Sequence, residues 1–220
     1  MDDSFILSHV DHTLLTATAS WAEIEKLCDE ALKYNTASVC VPPCYVGRIK
    51  KSFPDVNICT VIGFPLGYDT VNVKAACAQA AIDDGAGEID MVINLTDVKN
   101  GRFDAIRLEI ETLKIVAGPH ILKVIIETCY LTQAEKIALC RIVTDAGADY
   151  IKTSTGFGTH GARIQDVMLF KANIGAGVKI KAAGGIRSRE DIVAYLEAGC
   201  SRLGTSSAVK LLTGGAANSY

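Results

Sequence analysis

Short apolar runs recur along the chain, each delivered by a polar junction that usually carries a glycine. Lys33-Tyr34-Asn35-Thr36-Ala37 precedes SVCV, and Asp84-Gly85-Ala86-Gly87 precedes EIDMVIN. Asp145-Ala146-Gly147-Ala148 precedes DYIKTS, and Glu197-Ala198-Gly199-Cys200 precedes SRLG. A helix that ends on a left-handed cap and passes at once into a buried strand has this pattern. Helix starts are legible too. Ser20 with Glu23, and Thr132 with Glu135, have capping-box spacing, and Ser188 with Asp191 is a weaker version. Thr70 opens the helical stretch VNVKAACAQAAID.

Between these helical stretches the pattern predicts eight strands, near 6–12, 37–41, 57–63, 88–94, 121–127, 149–154, 178–183 and 201–204. Eight strands alternating with helices point to an α/β fold, a (β/α)8 TIM barrel, with residues 1–220 forming a single domain. A doubly wound open sheet is the alternative, but the glycine-rich dinucleotide turn after the first strand is missing.

Composition narrows the functional classes. The 220 residues are 49% hydrophobic with a formal net charge of -3, enough for one large core and without a basic block for nucleic acid. No apolar run is long enough to span a bilayer, and the acidic start MDDSFILSHVDHT is not a secretory signal. The eight cysteines form no CxxC pair and no structural-zinc spacing. They read as buried thiols of a cytoplasmic protein.

In such barrels the active site lies at the C-terminal ends of the strands. The first strand ends in Asp11-His12-Thr13 and the second in Cys40. The fourth carries Asp90 and Asn94 on one face, and the fifth carries Lys123 and Glu127. The sixth ends in Lys152 and the seventh in Lys181. Neighbouring strands lie about 4.8 Å apart. Two inward lysines at one height oppose each other's charge, so one yields its proton more readily and becomes a nucleophile for a carbonyl. Asp90 has the reach to pair with one of them and pass protons. Gly184-Gly185 after the seventh strand, and Ser206-Ser207 after the eighth, have the character of the phosphate-binding loops of this fold.

Bland readings account for other residues. Lys123 and Lys179 read as ordinary strand lysines, with Lys179 at the far end of the barrel in solvent or an ion pair. His9 and His12 fall on opposite faces and read as satisfied or exposed rather than metal ligands. Cys40 reads as a buried thiol. Asp11 and Thr13 suit a turn as well as a site. Tyr220, the last residue, suits a frayed end. No cluster of histidines or carboxylates is evident for a metal.

The motifs VDHTLL, SVCVPP, VIGFPLG, GEIDMVIN, LKVIIET, ADYIKTSTGFG, KAAGGIR and LGTSS run from Asp11 onward. On these the chain resembles the deoxyribose-phosphate aldolases, a family of class I aldolases, from Asp11 to Tyr220. The resemblance implies reversible cleavage of 2-deoxy-D-ribose 5-phosphate to acetaldehyde and D-glyceraldehyde 3-phosphate, in deoxyribonucleotide catabolism. It implies Lys152 as the Schiff-base lysine, Lys181 as the lysine that lowers its pKa, and Asp90 as the proton relay. It places Asp11, Thr13 and Cys40 near the substrate, and Gly156, Gly184, Gly185, Ser206 and Ser207 around its phosphate. It gives Tyr220 a part in proton transfer. Some members carry a lysine directly after KTSTG, where this chain has Phe157. Phosphate binding then rests on backbone donors or on Arg187. The implied partners are a sugar phosphate and aldehydes, not nucleic acid or membrane, in a homodimer or homotetramer. No metal or organic cofactor is implied, because the imine replaces the Lewis acid. Rival readings are another Schiff-base lyase on this barrel, a non-catalytic sugar-phosphate binder, and a metal-dependent aldolase.

Overall fold

A computed structural model of the chain describes residues 1–214. Tyr220 therefore lies outside the described residues. The eight strands are β1 (Val10–Thr13), β2 (Ser38–Val41), β3 (Ile58–Ile62), β4 (Glu88–Val92), β5 (Ile121–Ile125), β6 (Tyr150–Lys152), β7 (Lys179–Ala183) and β8 (Arg202–Thr205). They close into a barrel in sequence order, every neighbouring pair parallel. Around them run α1 (Asp3–Leu7), α2 (Trp21–Tyr34), α3 (Val46–Ser52), α4 (Val71–Asp83), α5 (Leu95–Lys99) and α6 (Phe103–Ala117). The ring is completed by α7 (Gln133–Asp145), α8 (Ile164–Asn173), α9 (Arg189–Ala198) and α10 (Ala208–Leu212).

Local chemistry places these elements. The capping boxes at Ser20 and Glu23, Thr132 and Glu135, and Ser188 and Asp191 all form, starting α2, α7 and α9. Each satisfies two amides that the first helical turn leaves open. Asn35 at the end of α2 and Gly199 at the end of α9 take left-handed backbone and turn the chain straight into the next strand. The first strand differs from the expected 6–12. Asp2 accepts the amide of Phe5 at 2.7 Å and starts the helical turn α1 instead, so the strand begins only at Val10. Asn94, expected to share a strand face with Asp90, lies past the end of β4 and caps α5.

Alternation divides the strands into two environments. Outward residues such as Val39, Ile89, Val124, Ile151 and Leu203 pack under the helices in the main apolar core. Each fully buried aliphatic side chain there contributes about 1.5–3 kcal/mol relative to exposure. Inward residues are of another kind. A small apolar cluster of Cys40, Cys59 and Val61 fills one side of the barrel. Asp11, Glu88, Asp90, Lys123, Lys152, Lys181 and Arg202 also point inward, all buried. Of the eight cysteines expected to be buried, Cys44 and Cys77 are exposed and Cys129 is half-buried. No helix among the described residues is long and apolar enough to cross a membrane.

Candidate active site

Register sets the site. Lys152 stands opposite Lys181 across β6 and β7, and Asp90 stands opposite Lys123 across β4 and β5. All four side chains turn inward and meet at the Asp90 carboxylate. Its Oδ2 accepts from Lys152 Nζ and from Lys181 Nζ, each at 2.6 Å. Its Oδ1 accepts from Lys123 Nζ at 2.9 Å and from Cys59 Sγ at 3.1 Å. Lys123 had the reading of an ordinary strand lysine. It is instead fully buried, contacting Glu88 and Asp90. Lys179 is exposed, as expected.

A second set of charges lies beneath. Asp11 accepts from Arg202 Nε at 2.7 Å and pairs with Lys181. Arg202 also donates to Glu88, which accepts from Asn57 Nδ2 at 2.8 Å. Sequence reading missed Glu88, Arg202 and Cys59. One signal was available for Glu88, because it shares strand parity with Asp90 in EIDMV.

The electrostatics follow from burial and partners. Burial pushes the Asp90 carboxyl up, but Lys123, Lys152 and Lys181 outweigh it and hold the group well below the carboxylate range. Burial likewise opposes ionisation of Asp11, while Lys181, Lys123 and Arg202 bring it down to about 2. Burial lowers Lys181, but Asp11 and Asp90 win and raise it above the ordinary lysine value. Lys123 is raised well above that value by Asp90, Cys59, Asp11 and Glu88 against its burial. Lys181 is therefore held as an ammonium. Four cationic side chains, Lys123, Lys152, Lys181 and Arg202, meet three carboxylates, Asp11, Glu88 and Asp90. Charge neutrality in the cluster is reached when one lysine gives up its proton.

Carboxylates do converge here, contrary to the expectation of no metal-like cluster. Cys40, Cys59 and Asp90 approach one another, as do Asp11, Cys59 and Glu88. Their lone pairs are already engaged. Lys123 Nζ lies 2.9 Å from Asp90 and 3.3 Å from Cys59 Sγ, and Arg202 binds both Asp11 and Glu88. The donor set is that of an ion-pair network rather than a cation cage.

Above the network opens a cavity of about 390 Å³. Lys152 lies in its wall, whereas Lys181 and Asp90 do not. Thr13, Gly156, Gly184, Gly185, Ser206 and Ser207 line it. Arg187 and Phe157 line it as well. Asp11 and Cys40 lie below, in the barrel interior, and take no part in the wall. His12 Nε2 hydrogen-bonds Glu30 Oε2 at 2.8 Å on the outer side.

Two glycines are required by this packing. A Cβ on Gly184 would lie 3.1 Å from the Cα of both Gly156 and Gly161, and its φ is +81°. A Cβ on Gly204 would lie 3.2 Å from Lys181 Cε, so the bare backbone leaves a path for the lysine stem. The wall thus holds backbone amides, hydroxyls and Arg187 at one end and a single lysine at its floor. Such a surface can take a small molecule with an anionic end and a carbonyl.

Residues 5–214 match the profile of the DeoC/LacD family aldolases. The chain is 58% identical over its full length to the full-length deoxyribose-phosphate aldolase of Clostridium botulinum (strain Alaska E43 / Type E3). It is 53% identical to that of Clostridioides difficile (strain 630), over 94% of this chain and 95% of the relative. Among solved structures, the tetrameric deoxyribose phosphate aldolase of Aeropyrum pernix superposes with a TM-score of 0.90 at 33% identity, covering 96% of this chain and 91% of that one.

Proposed function

The chain belongs to the DeoC/LacD family of aldolases, and from that premise we propose that it is a deoxyribose-phosphate aldolase working through an imine on Lys152. One observation carries the reading. Lys152, the lysine that lines the cavity, hydrogen-bonds the same Asp90 oxygen as the buried ammonium of Lys181.

The chemistry runs as follows. Lys152 passes a proton to the Asp90 relay and its free electron pair attacks C1 of the open-chain sugar aldehyde. The carbinolamine loses water to give a protonated imine. The C3 hydroxyl then gives up its proton, the C2–C3 bond breaks, and its electron pair moves into the imine to form an enamine. Three carbons leave as D-glyceraldehyde 3-phosphate. The enamine is protonated at C2 by way of Asp90, water and Tyr220, and hydrolysis releases acetaldehyde and free Lys152. Lys181 stays charged throughout and stabilises the carboxylate on which the proton transfers turn. Gly156, Gly184, Gly185, Ser206, Ser207 and Arg187 take the phosphate, and Thr13 borders the sugar. Asp11 and Cys40 act from below, Asp11 by holding Lys181. The imine supplies the electron sink, and the scheme uses no metal or organic cofactor.

Residues 1–220 work in this reading as one catalytic domain, in a cytoplasmic homodimer or homotetramer serving deoxyribonucleotide catabolism. The A. pernix relative is described as tetrameric, which supports self-association. Borohydride reduction in the presence of acetaldehyde, followed by peptide mass mapping, tests the mechanism. A two-carbon ethyl adduct on Lys152 is expected. No adduct on any lysine of folded protein overturns the mechanism, and an adduct on Lys181 exchanges the two roles.

A further inference from the structure

Past the ends of β5 and β6 the two chains continue side by side. Ile126 N donates to Lys152 O at 3.1 Å, and Thr128 N donates to Thr153 O at 2.9 Å. Between these contacts Glu127 takes left-handed backbone, with φ of +50°. That conformation is unfavourable for a residue with a Cβ and persists only where surroundings enforce it. Its carboxyl group is buried, with the residue 2% exposed. The mechanism above makes no use of it.

The carboxylate grips the turn that follows Lys152. Thr155 N donates to Oε2 at 3.1 Å and to Oε1 at 3.3 Å, and Thr155 Oγ1 donates to Oε2. Phe157 N in turn donates to Thr155 Oγ1 at 3.0 Å. The hydroxyl therefore has one orientation, its proton on Glu127 and a lone pair toward Phe157. Gly158 fits against this arrangement: a Cβ there would lie 3.2 Å from Glu127 Cδ. The amides of Thr155 and Phe157 are both consumed, and Gly156, between them, lines the cavity beside Gly184.

We propose that Glu127 is a positioning residue that locks the Thr155–Phe157 turn, so that the Gly156 amide is presented to the anionic end of the substrate. This rests on the reading of the cavity as a sugar-phosphate site and adds the group that shapes its phosphate end. A carboxylate only accepts hydrogen bonds. A glutamine at the same place keeps one acceptor oxygen but is neutral and puts an NH2 group where the second oxygen accepts from Thr155 N, so the charge-assisted grip is lost and the turn loosens without emptying the space.

The test compares Glu127→Gln with wild type on 2-deoxy-D-ribose 5-phosphate and on 2-deoxy-D-ribose. For the phosphorylated substrate, KM is expected to rise about tenfold with kcat within about twofold, the scale of losing a charge-assisted hydrogen bond. The specificity constant for unphosphorylated 2-deoxy-D-ribose, and borohydride trapping of acetaldehyde on Lys152, are expected to match wild type. Unchanged KM, or equal losses on both sugars, overturns the proposal. Thr155→Val breaks the same link and is expected to show the same selective loss, which keeps the test open should Glu127→Gln fold poorly. The double variant is expected to be no worse than the poorer single one, and additive losses overturn the link. A folded wild-type protein that gives no adduct on any lysine brings down the imine reading itself. A trapped Lys152 with an unmoved preference for phosphate brings down only Glu127.

Discussion

Asp90 Oδ2 lies 2.6 Å from the Nζ atoms of both Lys152 and Lys181. One carboxylate oxygen thus serves two lysines with different second partners. Lys181 is enclosed by Asp11 and Asp90 on a fully buried stem, whereas Lys152 reaches the cavity wall. The asymmetry predicts unlike variants. Lys152→Met is expected to lose about 10⁴-fold or more in kcat, the scale of removing a covalent nucleophile, and to give no acetaldehyde adduct. Lys181→Met leaves Asp11 and Asp90 short of a buried cation, and breaking such a pair costs about 3–5 kcal/mol. Urea unfolding of the two variants beside their kinetics checks this. Equal stability losses would show that the two lysines are not differently anchored.

Asp90→Asn replaces the carboxylate shared by three lysines with a neutral amide. The loss of a positioned acid–base group lowers kcat by about 10²–10⁴-fold. Trapping of acetaldehyde on Lys152 should slow as well, because the lysine loses its proton acceptor. Steady-state kinetics and the time course of adduct formation read the two effects. Trapping at the wild-type rate with a large fall in kcat would confine Asp90 to steps after the imine.

Much of this arrangement is legible in the sequence, and the limit has a physical cause. Lys152, Lys181 and Asp90 sit at strand ends that helix caps and apolar runs delimit, so local pattern places them. Lys123 shares every local feature with an exposed strand lysine. Only its register opposite Asp90, and the closure that brings Glu88 to it, separate the two cases. Arg202 and Asp11 are 191 residues apart and meet because β8 pairs with β1. Residue periodicity carries no information about such a closure. The missed strand start at Val10 has the opposite cause, since an apolar triplet, Phe5-Ile6-Leu7, serves a helical turn as well as a strand.

Acid stability follows from Asp11. Its folded pKa of about 2 lies below the ordinary 3.8, so its contribution is fully present above the unfolded value. As pH falls from 3.8 to about 2 the contribution is lost. A shift of this size corresponds to roughly 2 kcal/mol. Asp90 is likewise held well below its ordinary value, so its contribution is also lost on the acid side. Lys123 and Lys181 are raised, so their contribution is present below the ordinary lysine value of 10.5 and is lost as pH climbs through the folded value. Urea midpoints measured from pH 2 to pH 11 should fall at both ends. Asp11→Asn should flatten the acid limb, and an unchanged limb would remove Asp11 as its cause.

Thiol labelling offers a map of the fold. Cys44 and Cys77 are exposed. Burial pushes the thiols of Cys28, Cys140 and Cys200 up to about 12, and Cys59 is raised well above the ordinary value. The thiolate is the reactive form, so iodoacetamide at neutral pH should modify Cys44 and Cys77 first and leave those four unmodified until unfolding. Peptide mass mapping after brief labelling decides it. Early modification of Cys59 would mean that the barrel interior opens in the native state.

The mouth of the cavity carries a hydrophobic side chain beside its glycines and serines. Phe157 is 56% exposed and meets Phe64 edge to face, with ring centroids 5.3 Å apart. Such a pair contributes about 0.5–1.5 kcal/mol beyond area burial. Phe157→Lys gives up that contact and places an ammonium at the rim. An exposed pair with phosphate is worth about 0.2–1 kcal/mol, so KM for 2-deoxy-D-ribose 5-phosphate should fall by about 1.4- to fivefold at low salt. Screening shortens the reach of that charge to about 8 Å at physiological ionic strength, so the gain should shrink as salt rises. For 2-deoxy-D-ribose, which carries no phosphate, KM should stay put or rise as the aromatic wall is lost. Parallel kinetics on the two sugars at low and high salt check the prediction. A salt-independent fall in KM for both sugars would show that Phe157 obstructs the entrance instead of replacing a charge.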